Sequence, residues 1–253
     1  MITDKRIALV TGASSGVGRA AALALVDDGF HVVAAGRREA ELAKTAELAG
    51  NRSGNVLPVV ADVSDEASVT RLFNTVTETF GRLDLLFNNA GVAIHGIDSR
   101  DLSLEDWTRL MRINVTGSFL CAQQALRIML HQTPKGGRII NNGSVSAHVP
   151  RARSLAYTVS KHAISGLTKS LALDYRNDNI SCCQLDLGNV LVERTAEVVT
   201  GARFQADGEK RPEAQIDVSL AAKTVVFLAN LPLDANVPCM TLMANAMPYM
   251  GRG

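Results

Sequence analysis

The chain carries almost no excess charge of either sign. Its 253 residues include 26 Lys plus Arg and 25 Asp plus Glu, which gives a formal net charge of +1 at pH 7. The basic residues are scattered along the sequence and form no long run. Proteins that bind nucleic acid or an anionic membrane normally present a concentrated positive field. The composition therefore indicates that neither nucleic acid nor a membrane is a partner.

Long hydrophobic runs are absent as well. No stretch reaches the roughly 18 apolar residues by which a membrane-spanning helix is recognised. Residues 1–12 contain neither a long apolar segment nor the small-residue cleavage site of a secretory signal. We therefore expect a soluble protein of the cytoplasm.

Cysteine motifs are missing too. The four cysteines, Cys121, Cys182, Cys183 and Cys239, include no Cys-x-x-Cys pair and form no Cys/His cluster with metal-ligand spacing. We predict no metal site and expect all four to be small buried apolar residues. Adjacent Cys182 and Cys183 would point to opposite faces of a strand.

No linker rich in Pro, Gly and Ser divides the chain, and no low-complexity tract or fixed-period repeat is present. Hydrophobic residues make up 47% of the sequence, which is enough for one large core. Because α/β folds reach this length as one unit, we predict a single domain over residues 1–253.

Short apolar runs alternate with longer amphipathic segments. The runs predict strands at about 6–10, 31–35, 56–60, 83–87, 138–142, 180–185 and 238–243, and the first four read as strands buried on both faces. Helical spacing marks about 16–28, 38–48, 66–80, 104–131, 155–176 and 218–229. The alternation predicts an α/β fold with one Rossmann-like, doubly wound parallel sheet of about seven strands and helices on both faces.

Residues 190–216 interrupt the alternation after the sixth predicted strand. Ligands of such sheets bind beyond the carboxyl ends of the strands, so this segment predicts a lid over a substrate; a plain surface excursion is the alternative. Its charged residues are Arg194, Arg203, Lys210 and Arg211 beside Glu193, Glu197, Asp207 and Glu209. This mixture selects no obvious substrate charge.

A glycine-rich turn joins the first strand to the first helix. It runs from Gly12 to Gly18 as G-A-S-S-G-V-G. Gly12 permits the tight turn, Gly16 lets backbone approach a pyrophosphate, and Gly18 lets the helix pack closely on the strand. The helix N-terminus offers N–H groups to phosphate, and Ser14 and Ser15 can add hydroxyl donors. The turn therefore predicts a dinucleotide site, with a simple tight turn as the alternative.

The end of the second strand bears on which dinucleotide is bound. NAD sites usually place Asp or Glu there to hold the ribose 2′-hydroxyl. Here residues 34–38 read A-A-G-R-R, and the first carboxylate, Glu39, comes later. Arg37 could pair with a 2′-phosphate through its planar fork, which favours NADP(H) over NAD(H). The alternative is that Arg37 only stacks on adenine while Arg38 is solvated.

Polar residues also follow the third and fourth predicted strands. Asp62 could accept a hydrogen bond from the adenine amino group. A helix N-cap is the alternative role for Asp62, although Ser64 or Asp65 suits that role better. Residues 88–91 read N-N-A-G, so small residues would let backbone lie along a cofactor while Asn side chains pin the loop.

Tyr157 and Lys161 are four residues apart and would share one face of a helix. An ammonium beside a phenol favours the phenolate, which suits proton transfer at an alcohol or carbonyl oxygen near neutral pH. The spacing alone is common by chance, so its context decides what it means.

That context comes from Ser144 and Asn114. Ser144 stands 13 residues before Tyr157, just after a predicted strand, where its hydroxyl could hydrogen-bond a substrate oxygen; Ser146 is a less favoured candidate. Asn114 lies inside the predicted helix 104–131. Because Asn is a poor helix-interior residue, it indicates a local kink or a bound water there.

Together these motifs resemble the short-chain dehydrogenase/reductase family in its compact form. The resemblance rests on TGASSGVG, ADV, NNAG, the Asn114 segment, Ser144, and Tyr157 with Lys161, in that order, and extends from residue 6 to about residue 243. It implies a cofactor half at about 1–135 and a catalytic and substrate half at about 136–253.

The resemblance implies a role for each matching residue. Tyr157 would exchange the proton, and Lys161 would favour its deprotonated form and bind the nicotinamide ribose. Ser144 would orient the substrate oxygen, and Asn114 would hold a water in a proton relay to Lys161. The family also implies a homotetramer or dimer packed through the helices that contain Asn114 and Tyr157. The cofactor-binding residues would be Gly12, Ser14, Ser15, Gly16, Val17, Gly18, Arg37, Asp62, Val63, Asn89, Ala90, Gly91, Tyr157, Lys161, Gly188 and Val190.

The sequence departs from the family pattern at several positions. Leu187 stands where the family usually has Pro, and Val192 where it has Thr, which puts one nicotinamide contact in doubt. Ser15 stands where some NADP-preferring members have Lys or Arg, so Arg37 remains the main support for NADP(H). Residues 247–253 replace the usual Gly-rich ending, and this tail could cross into a neighbouring subunit's site.

These observations predict an NADP(H)-dependent oxidoreductase that transfers a hydride between the nicotinamide and the carbon of a small alcohol or carbonyl compound, with Tyr157 as general acid or base. One alternative is a 3-oxoacyl-thioester reductase. It would need a basic surface for an acidic carrier, for which Arg127, Arg151 and Arg153 are candidates. Another is a non-catalytic NADP-binding protein on the same fold, which the presence of Tyr157 and Lys161 disfavours.

Overall fold

The computed structural model describes residues 5–50, 54–192, 202–205 and 207–249. The strands are β1 (Ile7–Thr11), β2 (His31–Gly36), β3 (Val56–Val60), β4 (Leu85–Asn88), β5 (Gly137–Asn142), β6 (Ile180–Leu187), β7 (Val190–Leu191), β8 (Ala202–Phe204), β9 (Lys210–Pro212), β10 (Ile216–Asp217) and β11 (Cys239–Leu242). Seven of them form one sheet in the order β11-β6-β5-β4-β1-β2-β3. Every neighbouring pair in this sheet is parallel.

The helices alternate with these strands. They are α1 (Gly16–Asp27), α2 (Glu39–Ala49), α3 (Glu66–Phe80), α4 (Leu104–Met111), α5 (Gly117–His131), α6 (Leu155–Asp174) and α7 (Val218–Asn230), with a π-helical segment, Arg112–Thr116, between α4 and α5. Each predicted strand and helix is present with its ends shifted by a few residues at most. The predicted α/β class with a doubly wound parallel sheet is confirmed. Within the described ranges, no helix combines the length and apolar character needed to cross a bilayer.

Helices cover both faces of the sheet. On one face α1 and α7 pack together, and Leu25 and Leu228 contribute to a core that includes Cys183. On the other face α3 packs against α5, and Leu72 joins a core that includes Cys182. Adjacent Cys182 and Cys183 therefore point to opposite faces, as the strand period predicts.

The strand Val56–Val60 is not buried on both faces, and that prediction is wrong. β3 lies at one edge of the sheet, its burial alternates along the strand, and Val60 is 56% exposed. Pro58, which lacks a backbone donor, suits an edge strand. β-Branched residues also favour half-buried strands, so the apolar run did not distinguish an edge from the centre.

Cys239 is a second departure from the sequence prediction. Cys121, Cys182 and Cys183 are buried as expected, whereas Cys239 is exposed. The reason is the position of β11, which forms the other edge of the sheet. The prediction that all four cysteines are buried is therefore wrong for Cys239.

The segment after β6 contains regular structure. β7 pairs in parallel with β10, and β8 pairs antiparallel with β9. The break in the strand and helix alternation is present as predicted, but part of the segment is a short hairpin. The predicted lid residues 193–201 and 206, which include Glu193, Arg194 and Glu197, lie outside the described residues.

Close packing of α1 on β1 depends on Gly18. A Cβ added there would overlap the carbonyl oxygen of Gly12 and would lie 2.6 Å from the side-chain nitrogen of Asn89. The missing side chain lets the helix begin directly against the turn. This is the packing role that the third glycine of the turn predicts.

We expect Gly18→Ala to lower the free energy of unfolding by about 1–3 kcal/mol, because overpacking forces the backbone to shift. Gly166→Ala, within α6, is the matched control, since an added Cβ there meets no atom within 4 Å beyond its own helix. It should raise the free energy of unfolding by about 0.5–1 kcal/mol. Chemical denaturation measures both values, and effects of the same sign would contradict the packing account.

Candidate active site

The turn from Gly12 to Gly18 has the backbone conformation that its glycines predict. Gly12 (φ +69°) and Gly16 (φ +56°) lie in the left-handed region, which favours glycine. Ser15 is the extended N-cap of α1, and its side chain makes no cap hydrogen bond. The first N–H groups of α1 therefore face the carboxyl edge of the sheet without a side-chain cap, which suits an anion.

Side chains join β1 to β4 where the turn begins. Thr11 Oγ1 accepts hydrogen bonds from the backbone N–H groups of Asn89 and Ala90, both at 2.9 Å. Asn89 Nδ2 donates to the Thr11 carbonyl at 2.9 Å, and Asn142 Nδ2 donates to Asn89 Oδ1 at 2.9 Å. Three strands are thus held together at one point. Thr11 was not predicted, because a Thr that ends a strand has no distinctive spacing.

The two arginines after β2 both border the turn. Arg38 Nη2 donates to Ser14 Oγ at 3.0 Å and to Ser15 Oγ at 2.7 Å. Arg37 is exposed, and its charge acts on the Asp62 carboxylate. Arg38 is exposed, as the solvated alternative has it, but its guanidinium also binds the hydroxyls of the turn. The sequence does not reveal which of two adjacent arginines turns toward a neighbouring loop.

Asp62 is held in place by Ser64. Asp62 Oδ1 accepts from the Ser64 backbone N–H at 2.9 Å and from its hydroxyl at 2.7 Å. Partial burial favours a raised pKa, but these hydrogen bonds and the charges of Arg37 and Arg112 outweigh it and lower the pKa of Asp62. The N-cap of α3 is Asp65, so the capping alternative for Asp62 is wrong.

Two cavities lie along the turn and share the residues Gly12, Ser15, Ala90, Gly91 and Val92. The first cavity, of about 380 Å³, extends toward β2 and is also lined by Ser14, Gly36, Arg37, Arg38, Ala61, Asp62, Val63 and Ile113. The second cavity, of about 580 Å³, is also lined by Gly16, Val17, Gly18, Asn89, Ala93, Arg109, Asn142, Tyr157, Lys161, Val190 and Val192. All predicted cofactor-binding residues except Gly188 line one or both.

Tyr157 and Lys161 face the second cavity from α6. Lys161 is 8% exposed, and its Nζ donates to the Asn142 carbonyl oxygen at 2.7 Å. The same Nζ lies 5.6 Å from the centre of the Tyr157 ring. The four-residue spacing therefore brings an ammonium beside a phenol.

His95 is a neighbour of Tyr157 that was not predicted. The two rings meet edge to face, with 4.9 Å between their centres. Burial, with the charges of Arg151 and Arg203, lowers the pKa of His95 to about 4. The imidazole is therefore neutral near pH 7. A single His in an irregular loop carries no sequence signal.

Asn114 lies in the π-helical segment, so the helix departs from regular α geometry at the residue where the sequence predicts a kink or a bound water. Its Oδ1 accepts from the Val92 N–H at 2.8 Å, and its Nδ2 donates to the Val92 carbonyl at 2.9 Å. Nδ2 also donates to Ser160 Oγ at 3.1 Å. Asn114 thus holds the loop after β4 against α6. Its part in a water relay to Lys161 stays a prediction.

Ser144 follows β5 at the carboxyl edge of the sheet and is 6% exposed. Its backbone N–H donates to Asp186 Oδ1 at 2.8 Å. Its Oγ accepts from the Ser146 backbone N–H at 3.1 Å, which leaves the Ser144 hydroxyl hydrogen available to another acceptor. Ser146 therefore orients Ser144.

Behind Ser144, the fully buried Asp186 accepts several hydrogen bonds. Gln184 Nε2 lies 2.7 Å from Oδ1, while His148 Nε2 and Cys239 Sγ lie 2.6 Å and 3.0 Å from Oδ2. Potential metal-binding atoms of His148, Asp186 and Cys239 lie within 4.8 Å of one another, a grouping that sequence spacing did not indicate. Burial and the adjacent Asp186 raise the pKa of the Cys239 thiol to about 12. The protonated Cys239 thiol donates a hydrogen bond here, so this contact helps to hold the Asp186 carboxylate in place.

The segment after β6 contributes unequally to the site. Gly188 does not line the cavities; its N–H donates to the Leu242 carbonyl at 2.9 Å, and an added Cβ would lie 2.5 Å from the Met243 Cβ. Its lack of a side chain therefore serves packing against β11. Val190 and Val192 do line the second cavity, so Val192 offers an apolar surface where the family pattern has a hydroxyl.

The start of the C-terminal tail packs on its own chain. Met247 is 4% exposed, and its Sδ accepts from the Asn189 N–H at 3.4 Å. Residues 250–253 lie outside the described residues. A crossing of the tail into a neighbouring subunit's site stays a prediction.

Comparison with known proteins places this geometry in a family. The model of the family described as short chain dehydrogenase matches residues 6–202. The chain belongs to the short-chain dehydrogenase/reductase family. A 3beta-hydroxysteroid dehydrogenase of Mediterraneibacter gnavus is 35% identical over 226 residues, which are 87% of this chain and 81% of that protein.

Other relatives match over greater lengths. A 3-oxoacyl-(acyl-carrier-protein) reductase of Synechocystis sp. is 35% identical over 238 residues, which are 93% of this chain and 94% of that protein. Among solved structures, an actinorhodin polyketide ketoreductase with NADPH superimposes with a TM-score of 0.85 at 25% identity, covering 98% of this chain and 100% of that one. The likeness therefore includes the sheet edge that carries the candidate site.

We expect Thr11→Val to lower the free energy of unfolding by about 1–2 kcal/mol, because two partly buried N–H groups lose their acceptor. Thr75→Val is the control, since the exposed Thr75 hydroxyl donates only to the Arg71 carbonyl of its own helix. Its effect should stay within about 0.5 kcal/mol. Urea unfolding followed by circular dichroism measures both. Equal losses would show that the Thr11 contacts contribute nothing particular.

Proposed function

We propose that the protein is a nicotinamide-dependent oxidoreductase that interconverts a small alcohol and the corresponding carbonyl compound. The observation that carries the proposal is that the glycine turn and Tyr157 line the same second cavity. Dinucleotides bind along such a turn at the carboxyl edge of the sheet, so the nicotinamide would lie near Tyr157. The dehydrogenases and reductases among the relatives support this reaction class.

The residues of the two cavities fit a nicotinamide dinucleotide. Gly12, Gly16 and the start of α1 suit the pyrophosphate. Ala90 and Gly91, shared by both cavities, keep large side chains away from the path between them. When bound, the cofactor supplies or accepts the hydride.

Tyr157 is proposed to move the proton at the substrate oxygen. In the direction of reduction its hydroxyl gives a proton to the carbonyl oxygen, and in the direction of oxidation its phenolate accepts the proton. Lys161 stabilises the negative charge left on Tyr157, and its bond to the Asn142 carbonyl fixes the ammonium in place. Ser144, oriented by Ser146, donates its free hydroxyl hydrogen to the same substrate oxygen.

We infer that NADP(H) is preferred over NAD(H). The end of β2 offers no carboxylate for a ribose 2′-hydroxyl, and Ser14, Arg37 and Arg38 line the first cavity. A guanidinium pairs well with a phosphate. Arg38, already bonded to the hydroxyls of Ser14 and Ser15, is as well placed for this as Arg37.

A carrier-bound 3-oxoacyl substrate is less well supported than a small molecule. Such a substrate would require a basic docking surface. Arg151 is buried and paired with Glu213 at 2.8 Å, so its predicted place in that surface is wrong. The Arg153 guanidinium lies 4.3 Å over the Phe204 ring. Of the three arginines, Arg127 is left as an exposed residue without such a contact.

Exposed apolar side chains support the predicted dimer or homotetramer. Phe119 on α5 is 46% exposed, and Leu155 and Leu173 on α6 are 44% and 61% exposed. Large exposed apolar side chains on these helices are candidates for burial between subunits. We propose self-association through α5 and α6. Location in the cytoplasm stays a prediction.

We expect Tyr157→Phe to lower kcat about 100-fold to 10,000-fold, because general acid–base catalysis contributes that much. NADPH binding should remain within about threefold of the original, since cofactor binding does not need the Tyr157 proton. Tyr175→Phe is the matched control, and it should keep full turnover. Initial rates over a carbonyl panel and fluorescence titration with NADPH give the two values. Near-normal turnover by Tyr157→Phe would reject the mechanism. If the unaltered protein binds the cofactor but turns over no carbonyl compound, the non-catalytic alternative is favoured.

We expect the unaltered protein to bind NADPH more tightly than NADH. Arg37→Gln and Arg38→Gln should each weaken NADPH binding about tenfold to a hundredfold and leave NADH binding nearly unchanged, because a charge-assisted hydrogen bond to the 2′-phosphate is lost. Arg71→Gln is the control, since the Arg71 side chain is 71% exposed and lies on α3 away from both cavities. Fluorescence titration of each variant decides the matter. Equal affinities for NADH and NADPH in the unaltered protein would remove the case for NADP(H).

A further inference from the structure

A buried arginine lies between β5 and α6, close to the candidate site. The Arg151 side chain is 8% exposed, and its partner Glu213 is 2% exposed. Arg151 Nη2 donates to Glu213 Oε2 at 2.8 Å, and Asn189 Nδ2 donates to the same oxygen at 2.8 Å. Arg151 Nη1 is also buried but has no hydrogen-bond acceptor among the described residues. A buried guanidinium N–H without an acceptor is costly.

A second arginine is brought to the same place by the β8–β9 hairpin. Gln205 Nε2 donates both to the Arg203 carbonyl at 3.1 Å and to Glu213 Oε1 at 3.0 Å. The Arg203 residue is therefore tied to Glu213, the partner of Arg151. Arg203 itself is half-buried, and its guanidinium donates no hydrogen bond to any residue in the part of the chain that the structure describes.

The hairpin also packs against the loop that carries His95. A Cβ added to Gly96 would lie 3.3 Å from the Phe204 ring, and the Gly96 N–H donates to the Arg153 carbonyl at 2.8 Å. His95, next to Gly96, contacts the Tyr157 ring with 4.9 Å between ring centres. The two arginines are therefore linked through a continuous set of contacts to the proton-transferring residue.

In the described part of this region, Arg151 and Arg203 share the field of one carboxylate, Glu213. Arg151 is paired with Glu213, whereas Arg203 has no carboxylate partner within the described ranges. Burial and then the charge of Arg151 lower the pKa of Arg203, although Glu213 opposes the shift. Burial, and then the same two cations, lower the pKa of His95. Two guanidinium groups that repel each other in a partly buried place would both be stabilised by a bound anion.

We propose that Arg151 and Arg203 form an anion-binding subsite beside Tyr157, and that the substrate is an oxo or hydroxy compound that also carries an oxyanion such as a carboxylate. The inference rests on the proposed function and narrows its substrate class. Arg203, on the hairpin, would close on the anion, and Arg151 would donate to it from the buried Nη1. Two guanidinium groups on one carboxylate also fix the orientation of the carbonyl toward Tyr157.

The test compares acids with their neutral esters. Initial rates with NADPH are measured for straight-chain oxo acids that differ in the spacing between carbonyl and carboxylate, each beside its methyl ester. At least one acid should exceed its ester in kcat/KM by about tenfold to a hundredfold. Arg203→Gln should abolish this difference by lowering kcat/KM for the acid alone, and Arg203→Lys should restore part of it.

Arg211→Gln is the matched control. Arg211 lies on the same hairpin, its side chain is 55% exposed, and it pairs with Asp207 at 2.6 Å. This variant should keep the full preference for the acid. Rates for acid and ester within about twofold of each other in every pair, or a loss in Arg203→Gln that is equal for both, would overturn the subsite.

A binding measurement separates the subsite from the reaction. Calorimetry follows the binding of saturated straight-chain carboxylates to the protein loaded with NADP⁺. Binding that Arg203→Gln loses and Arg211→Gln keeps supports the subsite even if no compound is turned over, in which case the proposed reaction fails and the subsite stands. Turnover of esters without any carboxylate binding supports the reaction and overturns the subsite.

Discussion

The candidate site depends on the side-chain junction between the carboxyl ends of β1 and β4. Thr11 and Asn89 exchange hydrogen bonds there, and Asn142 extends the junction to β5. Parallel pairing brings these strand ends to one edge of the sheet, but strand pairing does not set the course of the loops beyond it. The junction sets that course, because Thr11 precedes the glycine turn and Asn89 begins the loop after β4. Asn142 also belongs to the junction, and its carbonyl holds Lys161.

Much of this arrangement could be predicted from the sequence, because the signals were local or periodic. Apolar runs and helical spacing gave the order of strands and helices, and parallel connection then forced their carboxyl ends together. Gly12 and Gly18 identified the turn, since positive φ favours glycine at the first position and the close helix contact requires it at the second. Tyr157 and Lys161 could be paired because the helix period places them on one face.

The rest depended on contacts between residues far apart in the chain. Arg38 reaches Ser14 and Ser15, and His95 reaches Tyr157, in directions that no period determines. Asp186 reads as one more strand residue, yet it is a buried acceptor that fixes the Ser144 backbone. The charged residues of 190–216 are mixed in the sequence, whereas in the fold Asp207 pairs with Arg211 and Arg203 is half-buried. Edge position likewise changed the environment of Cys239 and Val60, which composition cannot foresee.

The π-helical segment has a consequence for the register of the whole region 104–131. A π turn accommodates an additional residue compared with an α turn, and each residue in an α-helix rotates the following ones by about 100°. The direction in which α5 presents side chains to α3 is therefore rotated from the direction that an unbroken α-helix continuing α4 would give. Shortening the chain by one residue here could restore a regular helix, but the Asn114 amide could then no longer meet Val92 while α5 kept its packing. The π turn thus lets one continuous helical region direct Asn114 toward Val92 and α5 toward α3, which a uniform α-helix could not do together.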